Sequence, residues 1–577
     1  MCRVTGDATF QAGDGDLCLD GTRVDILRRV VAWLDTNSTT MLWIHGLPGA
    51  GKSAISRTIV SILKKRWSLG SDFFFSRDDA ERRTPLALWC HILYDLSCQH
   101  SAFRTAVLAK LQAPDFKLGS AQPGELVDII VNTVQAIHNE ATAHGPPLVV
   151  VIDALDECPQ LSSSVSKQRK EVLAGLSKLY ALRSTWFRVI VTSRAESDIC
   201  AFLDIEDVTS IELLAGKAVS SQSSDDIKCY LDYYLVQELP GTQATPRIIQ
   251  NLVEKAAGLF IWAKTAVEFV RSPQGLPHKR LQTLQQVGFE AGGIYTLYHL
   301  VLTEQFGKIV DPELARHFQR VVGALLSAAT PLTQEQLEGL VSLAVSGDEL
   351  EGTDKATVSN ILRRLSTVTI HQSLESHSSS TIQFAHLSFA EFLQDQSNIG
   401  KFYGINPKNA HTDMLLQCLL VMNTHLMFNI CRLPSSHYSN SHYDLPSLIS
   451  HYISLHLQYA AQHWTHHLIN APNDYASPIH LDTFLRQKLL FWFEVMSLLN
   501  MFSLVVSSLR DCAKFLQVSI LTLHIMQFLM KYCHSIHQTR HLLLMHSNLH
   551  HTLSFPYPLV HHTSIFQHYQ QLQYHHL

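Results

Sequence analysis

The chain has 577 residues, too many for one ordinary core; at about 100–200 residues per domain it calls for roughly three to five units. Its residues are 46% hydrophobic, 16% charged and 9% aromatic, which supplies packed cores and excludes disorder of the whole chain. With 45 Lys plus Arg against 50 Asp plus Glu, the formal charge is -5. That balance excludes a strongly cationic nucleic-acid binder.

The first residues, Met1 to Asp7, hold no apolar stretch of the kind a secretory signal needs. The 11 cysteines are dispersed without a C-x-x-C pair, which speaks against zinc ribbons and fits a reducing compartment, so a cytoplasmic location is expected. Further along, Thr22 to Asp35 has the spacing of an amphipathic helix, and Met41 to His45 that of a short apolar strand. Glycines follow, then a helical run from Lys52 to Trp67. Asp72 to Phe75 reads as a second strand, Thr84 to Leu111 and Gly124 to Ala143 as helices. Leu148 to Ile152 and Arg188 to Thr192 are apolar strands, and Val208 to Leu213 is a weaker one. Strands alternating with helices of this length predict an α/β unit, a parallel sheet covered on both faces.

From about residue 216 the strand signal fades and helical periodicity dominates, with Gly/Pro/Ser-rich joints near 219–224, 272–277 and 433–447. The most membrane-like stretch, Leu489 to Leu509, contains Glu494 and Asn500 between Lys488 and Arg510, and is read as a buried helix or helical hairpin. His463, His466 and His467 lie among aromatics on a helix-like stretch and read as core and surface residues. The last residues, 521–577, contain no Asp, Glu or Gly and 12 histidines without regular ligand spacing. This composition predicts a poorly ordered tail, or one foreign to the rest, as from a shifted reading frame.

Three motifs carry chemistry. The first, Gly46-Leu47-Pro48-Gly49-Ala50-Gly51-Lys52-Ser53, fits G-x-x-x-x-G-K-[ST] between an expected strand and an expected helix. Glycines let backbone N–H groups face phosphates, and the helix N-terminus adds partial positive charge. Lys52 would sit on the β- and γ-phosphates and Ser53 would ligate Mg²⁺. The second, Leu148 to Asp153, is an apolar strand ending in an acid, and Asp153 would hold Mg²⁺ directly or through water. Asp156 or Glu157, just beyond, could orient an attacking water. The third, Val189 to Arg194, ends in Thr, Ser and Arg. If its strand neighbours those of the other two motifs, Arg194 would lie near the γ-phosphate and sense it.

In this order, and with the small residue Ala154 followed by Asp156-Glu157, the motifs resemble those of the NACHT (STAND-class) family of signal-transducing P-loop ATPases, especially fungal proteins related to NLR immune receptors. Cys18 to Arg23, Gly258 to Ala263 and Phe384 to Leu393 resemble further segments of that group. The resemblance spans roughly residues 15–515. It implies a P-loop parallel sheet followed by helical, winged-helix and helical-array domains, with bound ATP/ADP and Mg²⁺. The implied divisions are a lead-in at 1–39, the nucleotide-binding domain at 40–215, a helical domain at 216–290, a winged-helix-like domain at 291–400, a helical region at 401–518 and the His-rich tail at 519–577. His386 aligns with a family histidine that reaches the β-phosphate of ADP and locks the closed state; a core or capping histidine is the alternative. Phe260 stands where many relatives have Pro, which removes a usual adenine contact. Thr22 and Arg23 could contact adenine, or Thr22 could cap the following helix.

The family implies a nucleotide-operated switch in non-self recognition or programmed cell death, at most a slow ATPase, self-associating through its nucleotide-binding domain; the charge balance and the polar breaks in 489–509 lead to the expectation of neither nucleic acid nor membrane as partner. Members usually carry an N-terminal effector domain and a C-terminal repeat array. Here about 40 residues precede the glycine turn, too few for such a domain, and a 40-residue WD-type period is absent. A nucleotide-binding scaffold fragment is therefore the alternative reading. A P-loop kinase would be shorter, and a helicase would need a second motor motif set and a basic track.

Overall fold

The computed structural model describes residues 17–515 apart from short interior segments, the longest being 113–121, 159–166, 343–352 and 435–443. The His-rich tail lies outside the described residues.

The lead-in helix α1 (Val24–Asp35) precedes β1 (Met41–Gly46) and α2 (Lys52–Lys65). Then come β2 (Leu69–Phe74), α3 (Pro85–Gln99), α4 (Ser101–Gln112), α5 (Pro123–Asn139), β3 (Leu148–Asp153), α6 (Lys167–Ala181), β4 (Phe187–Ser193), α7 (Ser197–Leu203) and β5 (Thr209–Leu213). The five strands form one parallel sheet in the order β2-β3-β4-β1-β5. Alternate residues face opposite layers. Trp43, Val150, Ile152, Val189 and Val191 pack on the α3–α6 side, where Trp89, Ile92, Phe103 and Leu176 lie. Leu42, Ile44, Val149, Val151 and Ile190 pack against Trp33 of α1 and Ile55, Ile59 and Leu63 of α2. Burial on both faces explains why these strands read as continuous apolar runs.

The stretch from Thr84 to Leu111, expected as one helix, is two. His100 is extended (φ -128°) between α3 and α4. Arg104 donates from Nε and Nη2 to the carbonyls of Ser97 and Cys98, both at 3.0 Å, closing the end of α3. The break lets α4 bury Phe103 and Val107, a tertiary gain that helix propensity does not report.

Beyond the sheet, α8 (Ser221–Leu231), α9 (Pro246–Ala256), α10 (Phe260–Arg271), α11 (Pro277–Gln286) and α12 (Ile294–Phe306) are helical, in keeping with the sequence. The winged-helix portion comprises α13 (Pro312–Ser327), β6 (Leu332–Thr333), α14 (Gln334–Val341), α15 (Lys355–Arg364), β7 (Thr369–Ser373), β8 (Ser380–Phe384) and α16 (Leu387–Gln394). Its strands form an antiparallel sheet, β6-β8-β7, too short to leave a periodic signal. The helical array runs through α17 (Pro407–His425), α18 (Leu445–Tyr452), α19 (Leu455–Asn470), α20 (Pro478–Thr483), α21 (Leu489–Leu498) and α22 (Phe502–Phe515). One hydrophobic core runs from α8 to α22.

The apolar stretch at 489–509 is a hairpin, α21 turning into α22 at Asn500 in a left-handed conformation (φ 57°). Glu494 accepts from the backbone N–H groups of Asn429 and Ile430 at 3.1 and 3.2 Å, and burial pushes its carboxyl up to about 7. Among the described residues no helix is long and apolar enough to cross a membrane. His467 is fully buried and bonded to Tyr459 and His411 (3.0 and 3.2 Å).

Candidate nucleotide site

The sheet order decides the geometry of the site. Because β4 lies between β1 and β3, the strand ends bearing Gly46, Arg194 and Asp153 open side by side. The glycine turn leaves β1 with Gly49 and Gly51 in left-handed conformations (φ 79° and 92°), where a side chain would be strained. Gly51 is the N-cap of α2 and contributes no side-chain bond, so the first N–H groups of α2 face the turn without side-chain capping, as an anion site requires.

Lys52 folds back over this turn, and its ammonium donates to the carbonyls of Gly46 (2.9 Å) and Leu47 (3.0 Å). Burial lowers its pKa from the ordinary lysine value, while Asp156 and Asp153 act in the opposite sense. Both acids therefore lie near enough to the ammonium for their charges to act on it. Asp153 is buried, and its Oδ1 accepts from Ser56 (2.6 Å) and Thr192 (2.5 Å). Ser53 stands one turn before Ser56, in the first turn of α2.

After β3 the chain turns sharply at Ala154 (φ 55°) into a 3₁₀ turn, Leu155–Glu157. The left-handed step suits a small residue, and the Ala154 N–H donates to Thr192 Oγ1 at 3.1 Å. Asp156 is buried and receives the Arg194 backbone N–H at 2.9 Å and its Nε at 3.0 Å. Glu157 is half-buried beside it. Arg194 Nη1 also reaches Glu391 of α16 at 2.8 Å. Burial opposes charge on Arg194, but Glu391 and Asp156 outweigh it and hold the guanidinium above its ordinary value.

His386 lies on the same side of the turn. Its Nδ1 accepts from the Ser388 N–H at 3.0 Å, capping α16, and pairs with the Ser388 hydroxyl at 2.7 Å. A methyl group built on Gly49 would come within 3.8 Å of His386 Cε1. Burial, then the charges of Arg194, Lys52 and Lys264, push the imidazole down to about 3, so it is neutral at ordinary pH. With Nδ1 committed to the cap, Nε2 is the nitrogen left for a ligand. The capping and ligand-facing readings of His386 are compatible.

Two contacts were not legible in the motifs. The N-terminus of α10 sits on the glycine turn: the Ile261 N–H donates to the Gly49 carbonyl at 3.0 Å, and a Cβ on Gly49 would stand 2.0 Å from Ile261 Cγ2. Arg23, buried with φ 55°, donates from Nη2 to the Ala50 carbonyl (2.6 Å) and from Nη1 to Ser223 (3.2 Å). Its backbone N–H donates to Asp226 Oδ1 (3.1 Å), and its guanidinium lies 4.6 Å from the centre of the Phe260 ring. Burial disfavours charge on both Arg23 and Asp226. Thr22 does not cap α1: its hydroxyl donates to the Leu19 carbonyl at 2.7 Å, and α1 begins after Arg23 without a side-chain cap.

These residues fit a nucleoside phosphate with Mg²⁺. The turn offers backbone donors and one ammonium. Among the described residues no group of three or more His, Cys, Asp or Glu could hold a metal unaided; Mg²⁺ usually takes one or two carboxylates and completes its shell with phosphate and water. Asp153 and Ser53 would hold it, and the ion would neutralise charge on the phosphates.

The family described as Nephrocystin 3, N-terminal, matches residues 21–194, the span from Gly21 to Arg194. The chain is 25% identical over 517 residues to the vegetative incompatibility protein HET-E-1 of Podospora anserina, covering 83% of this chain and 35% of that protein. It thus spans about a third of that relative's length. Among solved structures, the Drosophila ORC bound to DNA is 10% identical, covering 66% of this chain and 89% of that one, with a TM-score of 0.30. The ORC2 protein of Aeropyrum pernix, in ADPNP-ADP complexes, is 12% identical, covering 64% and 91%, with a TM-score of 0.27. Both scores are too low to argue from. With the glycine turn and the sheet order, the two sequence matches support a NACHT-like relative among nucleotide-binding P-loop NTPases.

Proposed function

We propose that the protein is a switch operated by ADP and ATP, with the nucleotide-binding unit at 40–215 closed against a helical unit at 216–290, a winged-helix unit at 291–400 and a helical region at 401–518. The observation that carries this reading is convergence on one turn. Lys52 at the start of α2, Asp153 at the end of β3, Ile261 of α10 and His386 at the N-cap of α16 all lie around Gly46–Ser53, so a ligand there would touch three units at once.

ADP would be held by the turn, with His386 on the β-phosphate, and would favour the closed arrangement. A γ-phosphate would recruit Arg194 away from Glu391 and favour opening. Moving such an equilibrium from nearly all closed to nearly all open takes about 5.5 kcal/mol of differential binding. A few charge-assisted hydrogen bonds of roughly 1.5–3 kcal/mol each suffice. Asp156 and Glu157 would place a water for slow hydrolysis that resets the switch. Self-association through the nucleotide-binding unit and a role in incompatibility-type signalling belong to the same reading, supported by the similarity to HET-E-1.

The test is the nucleotide that co-purifies. The wild-type chain should retain ADP, and Lys52→Ala should lose it. Equal nucleotide content in the two proteins would overturn the switch.

A further inference from the structure

Arg169 is 3% exposed and sits in the first turn of α6, outside the three nucleotide motifs. Its guanidinium fork is committed on three sides. Nε donates to the Cys158 carbonyl at 3.0 Å and Nη2 to the Asp156 carbonyl at 2.7 Å, both in the turn that follows β3. Nη1 meets Glu196 at 2.5 Å and Asp198 at 3.3 Å, in the segment that follows β4. One side chain therefore ties the strand end that carries Asp153 and Asp156 to the strand end that carries Arg194.

Helix stability does not account for this residue. A cation in the first turn of a helix opposes the helix dipole, and a buried ion cluster often stabilises no more than apolar packing of equal volume. The arrangement does specify geometry: five N–H donors in a rigid plane fix the carbonyls of Asp156 and Cys158 relative to Glu196 and Asp198. Lysine, a single point of charge, would not reproduce that fork.

We propose that Arg169 is a positioning residue for the metal–triphosphate part of the site. It holds the 3₁₀ turn so that Asp153 and Asp156 face Lys52 in the register that a Mg²⁺-bound γ-phosphate needs, and it takes no part in holding a diphosphate on the glycine turn. This rests on the nucleotide-switch reading and goes further by assigning triphosphate discrimination to a residue outside the motifs.

The experiment titrates the full chain, stripped of nucleotide, with fluorescent ADP and a fluorescent non-hydrolysable ATP analogue, each in MgCl₂ and in EDTA. For Arg169→Lys, affinity for ADP in EDTA should stay within about threefold of wild type. The Mg²⁺-dependent tightening of the ATP analogue should fall by about tenfold or more, as for residues that orient metal ligands. A variant that keeps the tightening, or that loses ADP and ATP-analogue binding equally, overturns the proposal. If Arg169→Lys does not fold, Glu196→Gln/Asp198→Asn must give the same selective loss, and an unchanged Mg²⁺ response there overturns it. Wild-type binding without any Mg²⁺ effect also sinks this proposal while leaving the switch intact. A wild-type chain that binds neither nucleotide, with Lys52→Ala no different, sinks the switch itself.

Discussion

Arg194 and Glu391, 197 residues apart in the chain, are joined at 2.8 Å, so the tip of the central strand β4 is tethered to the winged-helix portion by one ion pair. The same guanidinium grips Asp156 at 3.0 Å. The cation proposed to sense a γ-phosphate is thereby occupied by a carboxylate of the unit that, on that proposal, would have to move.

Glu391→Gln should loosen this tether. The pair is partly open to water, with side chains 20% and 30% exposed, so its contribution is discounted to about 1 kcal/mol. A shift of that size raises the open population about fivefold. Release of fluorescent ADP, followed by stopped flow, should quicken by that factor, while an unchanged rate would assign the pair no role in closure.

Gly49→Ala should separate α10 from the glycine turn. The residue has φ 79°, and its new methyl would stand 2.0 Å from Ile261 Cγ2. Left-handed strain alone costs roughly 1–2 kcal/mol. Thermal unfolding should shift down and bound nucleotide should be lost. Adding Ile261→Ala should recover part of the loss, because the steric and conformational terms are separable only in a coupled pair.

His386 should make the fold acid-sensitive. Its folded value is pushed down to about 3, against about 6.5 when unfolded. As pH falls below about 6.5 the unfolded chain takes up a proton that the folded chain refuses, so stability falls with pH down to about 3 and is unaffected above neutrality. The slope from this one group is at most about 1.4 kcal/mol per pH unit, reduced by the part of the ring left at the surface. His386→Asn keeps the helix cap and removes the titration. Its melting temperature should fall less steeply than that of wild type between pH 7 and pH 5; parallel curves would refute the assignment.

Arg23→Ala should be strongly destabilising, by about 3–5 kcal/mol, because it strands a buried carboxylate. Asp226, 6% exposed at the side chain, would lose its guanidinium neighbour, at 3.7 Å. Urea unfolding should show that Arg23→Ala/Asp226→Ala is less damaged than the sum of the two single changes.

Local pattern alone specifies the nucleotide-binding unit. An apolar strand, a G-x-x-x-x-G-K-S turn and an acid-tipped strand are local patterns, and each forms where its residues dictate: Met41–Gly46, Gly46–Ser53 and Leu148–Asp153. That 489–509 is a buried stretch was legible as well, since Glu494 and Asn500 interrupt an otherwise continuous apolar run, but a single helix and a hairpin were equally compatible with it. Which distant groups complete the site is settled by docking between elements. Arg169 sits in a polar helix start, Lys167-Gln168-Arg169-Lys170, where no spacing separates a buried clamp from a solvated face. Glu391 faces Arg194 because the winged-helix portion folds back on the sheet, and Ile261 covers Gly49 because α10 begins there. Local pattern reports backbone conformation and burial within one element. Pairing between elements about 200 residues apart depends on how their surfaces dock, and a linear period carries no record of that.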